Sequence, residues 1–183
     1  MNETRTRNSS QRVKLLIESA LCVALSVVLS YFKLLRMPQG GSITLEMAPL
    51  LFLAYRHGFK WGIAAGAMSG LIQLLFGGYV VHPAQAILDY PLAFGCVGIA
   101  GLFGEKILLG TIVAGFSRFL CHVVSGAIFF AKYAPEGQNP WIYSIVYNAT
   151  FIIPALILSA ITALILWKRF LDKGVVRETE KPE

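Results

Sequence analysis

Charged side chains in this sequence are confined almost entirely to its two ends and to short breaks between long apolar stretches. A lipid interior imposes that pattern, because charge in hydrocarbon is costly and every backbone polar group must be satisfied inside the protein. A helix needs about 20 apolar residues to cross roughly 30 Å of hydrocarbon. That rule predicts spans at 13–32, 42–56, 58–77, 83–103, 107–131 and 141–167, the second of them short enough to be partly interfacial. The breaks RMPQGGS, YRHGFK, GGYVVHP, GEK and YAPEGQNP combine Gly, Pro and charge, as turns require. The expected fold is an all-α integral membrane protein, a six-transmembrane-helix bundle. One membrane domain would cover 13–170, with polar tails at 1–12 and 171–183.

Composition supports the same solvent. Hydrophobic residues make up 56% and charged residues 14% of the chain, and the mean hydropathy is +0.63, far above a water-soluble domain. The net charge of +6 reads as membrane topology; no basic face interleaved with aromatics suggests nucleic acid. With the N-terminus inside, the cytoplasmic side receives Arg5, Arg7, Arg12, Lys14, Arg56, Lys60, Lys106, Lys168, Arg169, Lys173, Arg177 and Lys181. The outer side receives only Lys33, Arg36 and Lys132, so both termini are expected in the cytoplasm. The first apolar segment is too long for a signal peptide and lacks an A-x-A site, so it is expected to be retained. Cys22, Cys96 and Cys121 lie inside apolar stretches without CxxC spacing and read as packing residues.

Two small-residue series recur at helical spacing: Gly62, Gly66 and Gly70 in span three, and Ala20 and Ala24 in span one. Both allow close helix approach. For the glycines, intramolecular packing is the simpler reading.

Polar groups at membrane depth are functional candidates. Span four enters from the outer side, which places Asp89 about six residues, or roughly 9 Å, below that surface. His122, Gly126 and Phe130 repeat every four residues and share one face in the outer half of span five. Span six starts outside, with Tyr143 at the mouth and Asn148 about two turns down; Tyr79 lies in the loop before span four. These residues converge at one depth. An acid, an imidazole, an amide and several rings suit a flat cationic heterocycle. Plainer readings exist: His122 as a helix-to-helix hydrogen-bond partner, Tyr79 and Tyr143 as interfacial tyrosines. Glu18, four residues after Lys14, reads as an ordinary ion pair with it. Glu46, early in span two, reads as solvated, and Arg118, on the cytoplasmic side of His122, as structural.

The segments MPQGGSITLEMAPL, HPAQAILDYPLAF and RFLCHVVSGAIFFAKYAPEGQNPWIYSIVYNATFIIP resemble the thiamine-specific substrate-binding component of energy-coupling factor transporters. The likeness spans roughly residues 12 to 170. It implies a six-helix membrane bundle with an outward-facing site. The family's span-four carboxylate falls on Asp89, where some members carry Glu, and its span-five histidine on His122. Its stacking aromatic, often Trp, falls on Phe130, and the point where ligand approaches backbone on Gly126. Its later tyrosine and asparagine fall on Tyr143 and Asn148, and its earlier tyrosine on Tyr79. Some members add a Trp in the first outer loop; none lies between Lys33 and Gly41, so that wall is left unassigned. The likeness also implies that Ala20 and Ala24 dock a transmembrane coupling protein joined to two ATPase subunits. It implies a multi-pass protein of a prokaryotic cell membrane, with thiamine as substrate, lipid as surroundings and no cofactor.

Three alternatives follow from the residues. A carrier for another small vitamin or cation fits the same inventory. A metal carrier would use His57, His82, His122 and Asp89, but His57 is expected on the opposite side from His82. An intramembrane serine protease would use Ser125 with a histidine base, yet VVSG lacks the first Gly of G-x-S-G and no His follows His122. No G-x-x-x-x-G-K-[ST] is present, so ATP hydrolysis is expected on partner subunits.

Overall fold

The computed structural model describes residues 2–38 and 41–171, with side chains described at 10–38 and 41–170. Among these, six helices form the bundle: α1 (Asn2–Tyr31), α2 (Met47–His57), α3 (Phe59–Leu75), α4 (Pro83–Leu102), α5 (Ile107–Phe129) and α6 (Pro140–Leu166). A 3₁₀ turn at Ala131–Tyr133 follows α5, and a π turn at Trp167–Leu171 extends α6. Four segments are long and apolar enough to cross a bilayer: Ser10–Tyr31, Pro83–Leu102, Ile107–Phe129 and Pro140–Phe170. The protein is membrane-embedded.

The starts of these helices follow local chemistry. Pro83 and Pro140 occupy first-turn positions where a missing N–H costs nothing. The side chains of His82 and Asn139 accept from the N–H groups of Ala84 (3.1 Å) and Trp141 (2.8 Å). Gly58, at φ 83°, breaks the chain between α2 and α3 in a conformation that L side chains rarely adopt.

One expected span is corrected. Residues 42–46 are not helical, because Ser42–Ile43 (β2) pairs antiparallel with Leu35–Arg36 (β1), Leu35 opposite Ile43. This hairpin lets the chain re-enter the bundle with its backbone bonds satisfied, so α2 begins only at Met47. The first helix begins at Asn2, and its apolar segment, Ser10–Tyr31, agrees with the span expected at 13–32. At 11 residues, α2 reaches about 16 Å. It survives because protein surrounds it: Leu50, Leu51, Leu53 and Ala54 are fully buried. The Tyr55 hydroxyl donates to the Ile107 carbonyl at 2.6 Å, fastening α2 to α5.

Close contact between α3 and α4 uses the glycine stripe. A Cβ on Gly62 would lie 2.7 Å from the Ala54 Cβ and 2.8 Å from the Gly98 Cα. On Gly66 it would lie 2.8 Å from the Phe94 carbonyl carbon, and on Gly70 2.5 Å from that of Tyr90. Without a hydrophobic force between helices in lipid, such approach supplies the packing. A polar ladder crosses nearby: Gln73 Nε2 donates to Ser69 Oγ (3.3 Å), Ser69 to Ser26 (2.9 Å), and Ser26 to the Glu46 carbonyl (2.8 Å).

Two ion-pair expectations are also corrected. Glu18 does not pair with Lys14; its carboxylate meets Arg56 Nε at 2.8 Å and His57 Nε2 at 2.6 Å, which ties α1 to α2. Glu46 is not solvated: it is 6% exposed and binds Arg118 at 2.7 Å. Arg118 is thus paired, as a structural residue would be. Cys22, Cys96 and Cys121 are free thiols, with the Cys96 and Cys121 sulfurs 3.9 Å apart. Of the basic residues expected inside, the side chains of Arg5 and Arg7 and all of Lys173, Arg177 and Lys181 lie outside the described residues.

Candidate ligand cavity

Pro91 has no N–H to give the α4 ladder, and the helix passes it in a π turn, Leu88–Leu92, inside an otherwise narrow element. That wider turn carries Asp89. Three donors meet the carboxylate there: His122 Nδ1 on Oδ1 at 2.9 Å, and Gln85 Nε2 (2.7 Å) and Ser125 Oγ (2.8 Å) on Oδ2. None is a lysine or an arginine. An ionised carboxylate offers about four acceptor positions, so one remains for a ligand.

The other ring nitrogen of His122 faces Arg118 Nε at 3.4 Å. A guanidinium only donates, so His122 Nε2 accepts and the ring proton sits on Nδ1, toward Asp89. Arg118 is balanced by Glu46 and lies over the Phe94 ring at 4.2 Å. In the row Asp89, His122, Arg118 and Glu46 the one guanidinium is therefore spent on Glu46, with the imidazole between it and Asp89.

Asn148 Nδ2 donates to the Ser144 carbonyl (2.8 Å), with longer contacts to Ser144 Oγ (3.2 Å) and the His122 carbonyl (3.3 Å). Its amide protons are spent on α5 and α6, which leaves Oδ1 to accept. Gly126 makes this crossing possible, because a Cβ there would strike Ser144 Oγ.

Aromatic rings complete the walls. Tyr79 stacks on Phe130 (6.0 Å, 25°), Phe130 packs against Tyr133 (6.1 Å), and Tyr143 stacks on Tyr147 (6.0 Å, 27°). Tyr79 is 44% exposed and Phe130 8%, so the first caps the second. A hydrogen bond with the Tyr133 hydroxyl holds the Tyr79 phenol above its usual pKa, so the cap is uncharged at neutral pH.

These groups surround about 180 Å³ of open space, at the end of the bundle formed by the C-termini of α1, α3 and α5 and the N-termini of α4 and α6. Tyr79, Asp89, His122, Gly126, Phe130, Tyr143 and Asn148 all line it. Ala20 and Ala24 do not. They lie with Trp61, Ala64 and Met68 in a separate apolar groove between α1 and α3. The wall left unassigned is formed by Ser30, Tyr31, Lys33, Gly41 and Ser42.

Sequence reasoning missed Gln85, whose only signal was its position one helical turn before Asp89. It also missed Glu46 and Arg118 as lining residues, and Phe94, Tyr147 and Phe151. Ser125, weighed as a nucleophile, donates to Asp89 at 2.8 Å. Among the described residues, no three His, Cys, Asp or Glu groups could share a metal ion. His57 is held by Glu18, and His82 stacks on Phe129 at 4.9 Å.

A membrane bundle with a polar, ring-lined cavity at one end has the form of a small-molecule binding protein. The chain belongs to the thiamine transporter protein family, whose profile matches residues 16–173. It is 37% identical over 179 residues to the thiamine transporter ThiT of Bacillus subtilis (strain 168), covering 87% of this chain and 93% of that one. To ThiT of Lacticaseibacillus paracasei it is 29% identical over 158 residues, covering 75% and 79%. The solved structure of ThiT from Listeria monocytogenes superposes with a TM-score of 0.79 at 31% identity, covering 86% of this chain and 95% of the other.

Proposed function

We propose that this protein captures thiamine in the cavity and is the substrate-binding membrane subunit of an energy-coupling factor transporter. Asp89 carries the reading: a half-buried carboxylate with no lysine or arginine on it attracts a monocation. The rings beside it match thiamine's two flat heterocycles. Asp89 meets the positive charge or an N–H of the ligand, and Asn148 Oδ1 accepts from a ring amino group. Phe130, Tyr143 and Tyr79 stack, His122 orients the acid, and Gly126 lets the ligand lie close to backbone. The names of the relatives above support thiamine over other flat cations.

The assembly reading rests on the family likeness and on the α1–α3 groove. Ala20 and Ala24 would receive the transmembrane coupling protein, and ATP would be hydrolysed by two ATPase subunits attached to it. Arg56, Lys60, Lys106, Lys168 and Arg169 lie at helix ends opposite the cavity, and Arg12 and Lys14 lie in the half of α1 away from it. Their placement supports cytoplasmic termini, an outward-facing cavity and a multi-pass location in a prokaryotic cell membrane.

Calorimetric titration of the purified protein with thiamine, thiamine phosphates and pyridoxine tests the substrate. Stoichiometric thiamine binding that excess pyridoxine does not displace is expected. Equal binding of pyridoxine, or no binding of thiamine, would overturn the reading.

A further inference from the structure

Gln85 is 1% exposed and spends both ends of its amide inside the protein. Its Nε2 donates to Asp89 Oδ2 at 2.7 Å and to the Tyr79 carbonyl at 3.1 Å. Its Oε1 accepts from the Val81 N–H at 3.0 Å. The loop between α3 and α4 is fastened again by the Tyr79 N–H, which donates to the Tyr90 hydroxyl at 2.6 Å. One anchor, Gln85, lies in the turn before the π turn that carries Asp89, and the other, Tyr90, lies within it. A planar amide cannot shift toward one partner without moving its bonds to the others.

We propose that Gln85 is a positioning residue that holds the Tyr79 cap and the Asp89 carboxylate in one register, so that a ligand on the acid keeps the cap closed over Phe130. A cation drawn to Asp89 fixes Oδ2, which fixes Nε2, and with it the two loop groups that place the Tyr79 ring. The inference rests on the ligand reading above for its kinetics alone; the tether itself exists without ligand. Gln85 is therefore a residue of residence time. It touches the ligand's partner and the ligand's cover, and its loss opens the mouth while the charge stays.

Two variants separate these effects. Gln85→Met keeps the volume and removes every hydrogen bond; Gln85→Asn keeps the amide but falls one methylene short. In ligand-free protein, hydrogen exchange at the Val81 N–H is expected to accelerate about tenfold or more in both, the loss of one net hydrogen bond. Stopped-flow mixing with thiamine is expected to show dissociation faster by about tenfold, on the same basis, with association within about twofold of the parent. Unchanged Val81 exchange in a folded variant, or dissociation at the parent rate, overturns the proposal. A parent that binds no thiamine would sink the substrate reading while the exchange result still decides the tether.

Discussion

His122 Nδ1 and Asp89 Oδ1 meet at 2.9 Å, and the Arg118 Nε at 3.4 Å on the far side of the ring fixes which nitrogen carries the proton. The histidine thus orients the acid by donating to it. His122→Ala should leave Asp89 ionised but with two donors, and weaken thiamine binding by about tenfold, the net worth of one charge-assisted hydrogen bond. Calorimetry reads this directly, and a loss as large as that from removing the Asp89 charge would contradict the assignment.

Phe130 stacks on Tyr79, packs at a tilt against Tyr133 and lines the cavity as a buried ring. Phe130→Ala should cost about 0.5–1.5 kcal/mol of ring stacking beyond lost area, or roughly tenfold in affinity. Parent affinity would show that the ligand does not lie against this ring.

Gly66 faces backbone, not a movable side chain: the Phe94 carbonyl carbon would lie 2.8 Å and the Gly95 Cα 3.2 Å from a Cβ there. Gly66→Ala should force α3 from α4 at the level of Asp89's helix and lower the melting temperature in detergent by several degrees, consistent with an overpacking cost of about 1–3 kcal/mol. An unchanged melting temperature would mean that the two helices are less tightly apposed.

Ala20 and Ala24 lie away from the cavity on an exposed apolar face. Ala24→Trp is expected to leave thiamine binding by the isolated protein at the parent value while abolishing uptake by cells that carry the coupling module. Normal uptake would remove this face from the docking surface.

The helices of the bundle were readable because lipid excludes charge over lengths that a sequence displays, and four of them are long and apolar enough to cross a bilayer. The start of α2 was not, since nothing local distinguishes Ser42–Ile43 as a strand from the first turn of a helix; the partner residues Leu35–Arg36 decide it. Glu18 was assigned to Lys14 by helix spacing, yet Arg56 and His57 arrive from another helix and outcompete a flexible neighbour. Asp89, His122 and Asn148 were found together because depth along a helix follows from counting residues. Gln85 and Glu46 escaped because their importance lies in which groups they reach across the bundle, which counting does not supply.

The central claim is that the Asp89 charge holds the cation. At an effective dielectric of about 20, opposite charges 4 Å apart interact by about 4 kcal/mol, and each 1.4 kcal/mol is tenfold in affinity. Thiamine titration of Asp89→Asn, nearly the same in shape, against the parent is the most direct measurement. The account predicts a loss of about thirtyfold, after discounting that interaction by half; thiamine bound by the variant as tightly as by the parent would contradict it.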